Sequence, residues 1–111
     1  SLGAKNLAKS DLVKKWILKL HAEKKIIAAI CAAPAVVLAP LGILDQRDAA
    51  CYPGMQSYFS KTTRYKEIPV VIDENIITSQ GLGTTLSFAL AIVEKLMNKN
   101  TADTIKKSVV G

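Results

Sequence analysis

The sequence predicts an α/β fold in which a largely parallel sheet is covered by helices on both faces. Three observations carry this. Short β-branched runs at 26–30, 68–72 and 76–79 alternate with segments whose apolar residues recur at helical spacing. Small residues follow two of those runs, at Cys31-Ala32-Ala33 and Gly81-Leu82-Gly83, where the chain must turn from strand to helix. Half of the 111 residues are hydrophobic but only 5% are aromatic, so the core must be built from Ala, Val, Ile and Leu.

In chain order, Ser10 is an N-cap and Asp11 stands in a first helical turn, where the helix dipole favours a negative charge. Leu12, Val13, Trp16, Ile17 and Leu20 continue that helix, with Trp16 expected as a core or interface anchor. Residues 26–30 are charge-free and read as a buried strand. Residues 34–41 read as an apolar helix, with Pro34 in its first turn and Gly42 as its end signal. A short strand is expected at 48–51, broken by Pro53-Gly54, and an irregular surface loop at 55–67. The strands 68–72 and 76–79 flank the turn Asp73-Glu74-Asn75 and form a hairpin. Thr84 or Thr85 then caps a helix marked by Leu86, Ala89, Leu90, Val93 and Leu96, and a short helix is expected over 101–109.

Charge and cysteine usage narrow the function classes. The net charge is +6, yet the lysines are scattered over polar faces and helix ends without interleaved aromatics, which argues for a solvated surface and against nucleic-acid binding. No apolar run reaches membrane-spanning length, and no signal peptide opens the sequence. Cys31 and Cys51 make no disulfide framework and no zinc spacing, so a reducing, cytoplasmic setting is expected. A disulfide between the two stays open, because both follow strand ends. His21 reads as a residue of a helix's last turn, not as a ligand or base. Gly81-Leu82-Gly83-Thr84 lacks the third glycine of a dinucleotide-binding turn, and no cofactor is expected.

Cys31 is the centre of the functional reading. A cysteine in an apolar run is commonly a small buried hydrophobe. Here a strand leads into it, alanines flank it and a proline-started helix follows. This is the pattern of a nucleophile elbow, a sharp turn that exposes one reactive side chain at a helix N-terminus, where an anion is favoured. Cys51-Tyr52-Pro53 also follows a strand and is expected beside Cys31, where Tyr52 could donate a hydrogen bond to a substrate oxygen.

Several segments together resemble the ThiJ/PfpI superfamily, in its DJ-one-like branch. They are Leu2-Gly3-Ala4-Lys5-Asn6-Leu7, Ala28-Ala29-Ile30-Cys31-Ala32-Ala33-Pro34, Cys51-Tyr52-Pro53, Ile76-Ile77-Thr78-Ser79-Gln80-Gly81-Leu82-Gly83-Thr84 and Phe88-Ala89-Leu90-Ala91-Ile92-Val93-Glu94. They occur in family order. The resemblance implies a flavodoxin-like three-layer sandwich, usually homodimeric, with Cys31 as nucleophile and the Ala32 amide in the oxyanion hole. It implies glyoxalase or deglycase chemistry on small dicarbonyls such as methylglyoxal, or alternatively a redox-responsive chaperone or oxidative-stress sensor acting through Cys31.

The departures from the family pattern are specific. Tyr52 stands where the better-known branch has histidine, Gln80 where arginine is common and Leu82 where proline is common. The family's glycine pair, and the glutamate that hydrogen-bonds the cysteine, precede the segment that begins here at Leu2-Gly3. Residues 1–111 are therefore expected to form the C-terminal portion of one domain. An incomplete sheet exposes apolar edges. The expected partner is the N-terminal segment of the same protein, as a separate chain after cleavage.

Overall fold

The computed structural model describes residues 9–97, together with Gly3 and Asn6. The helix expected over 101–109 lies outside them. Helix α1 (Asp11–Ala22) begins as read: the Ser10 hydroxyl accepts from the Val13 N–H at 3.2 Å and Asp11 occupies the first turn. Lys19 and His21 stand in its last turn, where cations suit the helix dipole. Strand β1 (Ile27–Ile30) follows, then a helical segment in two pieces, a wide π-type turn at Pro34–Leu38 and a tight 3₁₀ turn at Ala39–Leu41. Pro40 has no N–H to give the helical ladder, so the regular α spacing cannot run through it. The segment closes at Gly42, whose φ of 77° is left-handed.

Strands β2 (Asp48–Ala49) and β3 (Arg64–Tyr65) pair in parallel as a small second sheet. β2 is shorter than the expected 48–51, and β3 lies inside the stretch expected to be a loop. Strands β4 (Val70–Asp73) and β5 (Ile76–Ser79) form the expected hairpin, and β1 joins β5 in parallel, giving the order β1-β5-β4. The described sheet is thus mixed. Helix α2 (Thr85–Leu96) packs along β5 and β4.

The core is aliphatic, as the composition requires. Ile27, Ala29, Ala35, Val36, Val37, Leu38, Ile43, Leu44 and Ile76 are buried in one cluster, with Ile17 and Leu20 of α1 packed against it. Each fully buried Leu or Ile there contributes about 1.5–3 kcal/mol. Of the two roles expected of Trp16, the core one is overturned: among the described residues it is 53% exposed and its ring carries the Lys19 ammonium 5.1 Å from its centroid. The α1 periodicity turns Ile17 and Leu20, not Trp16, to the core.

Polar ties join the elements. Asp73 accepts from the Asp48 N–H at 2.8 Å and pairs with Arg47 at 3.3 Å, linking the hairpin to β2. Asn75 donates to the Lys25 carbonyl at 2.9 Å and stands 3.3 Å from His21 Nδ1, tying the hairpin turn to the end of α1. His21 is therefore a structural contact, in the last turn where it was read.

Candidate active site

The end of β1 makes the elbow. Cys31 has φ = 62°, in the left-handed region that costs a residue with a side chain about 1–2 kcal/mol. The neighbours hold it there. Its N–H donates to the Ser79 carbonyl at 3.2 Å, extending the β1–β5 ladder by one bond, and its carbonyl accepts from the Tyr52 N–H at 2.7 Å. Between these bonds the chain reverses direction. The Ala32 carbonyl then accepts from Ala35 at 3.0 Å and Val36 at 2.9 Å, opening the helical segment.

Cys31 is a free cysteine and a partly exposed residue. Ala32 is buried, at 4% exposure, and its N–H forms no hydrogen bond among the described residues. A donor without a partner next to a presented sulfur is what an oxyanion formed on that sulfur's target would use. Alanines at 32 and 33 allow the tight reversal against buried helix residues.

A second loop closes on the sulfur. The segment after β5 brings Gly81 beside it, so that a β-carbon added at Gly81 would lie 3.5 Å from Cys31 Sγ and 3.7 Å from Tyr52 Cδ2. Thr84 fixes this loop: its hydroxyl accepts from the Gly81 N–H at 3.1 Å and donates to the Gly81 carbonyl at 2.7 Å, and its own N–H reaches that carbonyl at 3.0 Å. Buried Ser79 stands 2.6 Å from the Thr84 hydroxyl and donates to Pro69 at 2.6 Å. Thr84 precedes α2 as expected, but its side chain braces the loop and does not cap the helix. Tyr52, 54% exposed, forms with Pro53, Gln80, Gly81, Gly83 and Thr84 an open depression of about 350 Å³.

The structure thus brings Cys31, Ala32 and Tyr52 together. Cys51 is close in sequence but different in setting. It is fully buried, its thiol meets the Tyr52 carbonyl at 3.4 Å, and burial pushes it up from an ordinary 9.0 to about 11. Both cysteines are free thiols. Among the described residues no group of three or more His, Cys, Asp or Glu side chains is arranged to hold a metal ion, and no helix is long and apolar enough to cross a membrane. In the sequence the Gly81 segment reads only as a strand-to-helix turn that lacks the dinucleotide-binding pattern. The Ser79–Thr84 brace behind it left no sequence signal, because two hydroxyls five residues apart are common.

Comparison with known proteins agrees with the α/β architecture. The sequence pattern of the DJ-1/PfpI family matches residues 1–95. The Parkinson disease protein 7 homolog of Danio rerio is 40% identical over 111 residues, covering 98% of this chain and 58% of that protein. The glutathione-independent glyoxalase DJ-1 of Schizosaccharomyces pombe is 30% identical over 110 residues, covering 97% of this chain and 56% of that protein. Among solved structures, oxidized DJ-1 of Toxoplasma gondii superposes with a TM-score of 0.90 at 34% identity, over 96% of this chain and 58% of that one. The chain therefore spans a little under three-fifths of the length of these relatives. With its sequence pattern and its α/β architecture in agreement, the chain belongs to the DJ-1/PfpI family.

Proposed function

We propose that Cys31 is the nucleophile of a cofactor-independent glyoxalase or deglycase acting on small reactive dicarbonyls, methylglyoxal being the simplest. The observation that carries this reading is the elbow itself, a partly exposed cysteine held at left-handed φ beside an Ala32 N–H that has no partner among the described residues. The resemblance to a glyoxalase of Schizosaccharomyces pombe supports it.

In this reading the Cys31 thiolate adds to the aldehyde carbon. A C–S bond forms, and the carbonyl π pair moves to oxygen, where the Ala32 amide stabilises the charge. A proton then passes from that carbon to the neighbouring carbonyl carbon, leaving a thioester of the hydroxy acid. Water cleaves the thioester and returns the thiol, so the net change is addition of one water. Tyr52 serves as an orienting donor at the rim, since a phenol is a poor base near neutrality. The group that moves the proton is assigned to the same protein outside this chain. We assign the chain to the C-terminal portion of the domain, completed by that remainder as a partner segment, in a homodimer in the cytoplasm.

The test is methylglyoxal loss and lactate formation by the full-length protein. Cys31→Ala is expected to abolish both, and turnover retained in that variant would remove the reading.

The partial exposure of Cys31 favours a second reading, in which the thiol oxidises to sulfenic and then sulfinic acid as a redox-sensing or chaperone switch. Intact mass after mild peroxide separates the two: gain of two oxygens at Cys31 with negligible dicarbonyl turnover selects sensing.

A further inference from the structure

We infer that Gly81 sets the size of the electrophile that reaches Cys31, by leaving one side chain's room between the sulfur and the Tyr52 ring. The inference rests on the reading of Cys31 as the reacting atom and adds the part of the site that selects among its substrates. Gly42 and Gly54 have φ of 77° and 95°, left-handed conformations that favour glycine. Gly81 has no such φ, so its backbone has no need to be glycine. A β-carbon there would meet Sγ at 3.5 Å and Tyr52 Cδ2 at 3.7 Å, ordinary contact distances that strain nothing. What such a methyl would do is occupy the approach to the sulfur. The loop cannot easily swing away, because the Thr84 hydroxyl and amide hold both the N–H and the carbonyl of Gly81.

The chemistry that benefits is an aldehyde whose neighbouring carbonyl carbon bears a substituent. When the aldehyde carbon bonds to Sγ, that substituent needs space beside the sulfur, and Gly81 leaves it. Gly81 is accordingly a specificity-determining position that admits substituted dicarbonyls along with glyoxal itself.

The test uses the full-length protein and two thiol probes of different bulk, iodoacetamide and N-phenylmaleimide, with labelling of Cys31 followed by mass. In Gly81→Ala the ratio of bulky to small labelling rates is expected to fall about tenfold or more, the usual worth of one misplaced methyl in a fitted pocket. Gly83→Ala is the control within the same depression: a β-carbon at Gly83 meets nothing within 4 Å, the sulfur included, so it adds the same methyl to the lining without approaching Sγ and should keep the parent ratio. An unchanged ratio in Gly81→Ala overturns the inference, and so does a parallel loss of both rates. Turnover is read separately, phenylglyoxal against glyoxal, and should shift toward glyoxal in the same variant. If the parent protein turns over neither, the catalytic reading fails while the labelling ratio still decides the role of Gly81.

Discussion

Cys31 and Cys51 both follow a strand, and the Tyr52 N–H bonded to the Cys31 carbonyl makes their junctions neighbours. Yet one sulfur is presented and the other is sealed. After β1 the backbone flips to positive φ at the cysteine and throws the side chain out of the sheet. After β2 it does not, and Cys51 packs at 0% exposure with Ala49 and Leu44 in the aliphatic core. Position at a strand end is therefore not enough to expose a cysteine. Backbone handedness at that residue decides whether the sulfur meets solvent or core.

The largest consequence is in activity. Cys31→Ala should lower dicarbonyl turnover about a thousandfold or more, as loss of a covalent nucleophile does. Cys51→Ala should leave kcat near that of the parent, with about 1 kcal/mol lost from denaturant stability through the small void it opens. Equal loss of turnover in both variants, measured by lactate formation in the full-length protein, would erase the distinction between the two sites.

A smaller effect sharpens the same contrast through pH. Cys51 is pushed up from 9.0 to about 11 by burial. Below pH 9 the folded and unfolded chains both hold its proton and it contributes no slope. Between about 9 and 11 the unfolded chain releases the proton and the folded chain keeps it, so stability falls with rising pH. The loss attributable to this group is about 2–3 kcal/mol across that window. Urea melts at pH 8 and pH 11 should show it in the parent protein and not in Cys51→Ala.

The smallest effect addresses handedness itself. At Cys31, Cys31→Gly should be more stable than Cys31→Ala by about 1 kcal/mol, because only glycine occupies positive φ without steric cost. At Cys51 the order should reverse by a similar amount, since glycine there only adds freedom to the unfolded chain. Paired melts of the four variants check this, and the same order at both positions would contradict it.

The elbow was legible because three local signals agree: a β-branched run, alanines around the sulfur, and a proline that starts the next helical segment. The Ser10 cap and the Asp73-Glu74-Asn75 hairpin were legible for the same reason, each being chemistry settled within a few residues. Features that depend on distant contacts were not. Cys51 is buried in a cluster with Ile27, Val36 and Ile76, residues distant in sequence, which a strand-end position does not encode. β3 is two residues in a polar stretch, and only its pairing with β2 defines it. Trp16 shares its helical period with Ile17 and Leu20, and the period alone does not say which of two adjacent residues faces inward. Gly81 looked like an ordinary turn residue, whereas the sulfur and the Tyr52 ring beside it in space give its missing side chain a meaning.

The hydrogen bonds from Cys31 to Ser79 and from Tyr52 to Cys31 are all main chain to main chain. Three separate stretches of polypeptide are thus riveted around one sulfur by atoms that every sequence possesses. Substitution at Tyr52 or Gln80 can re-tune the surroundings of the thiol while the scaffold that aims it stays put, so the geometry and the selectivity of this junction are able to evolve apart.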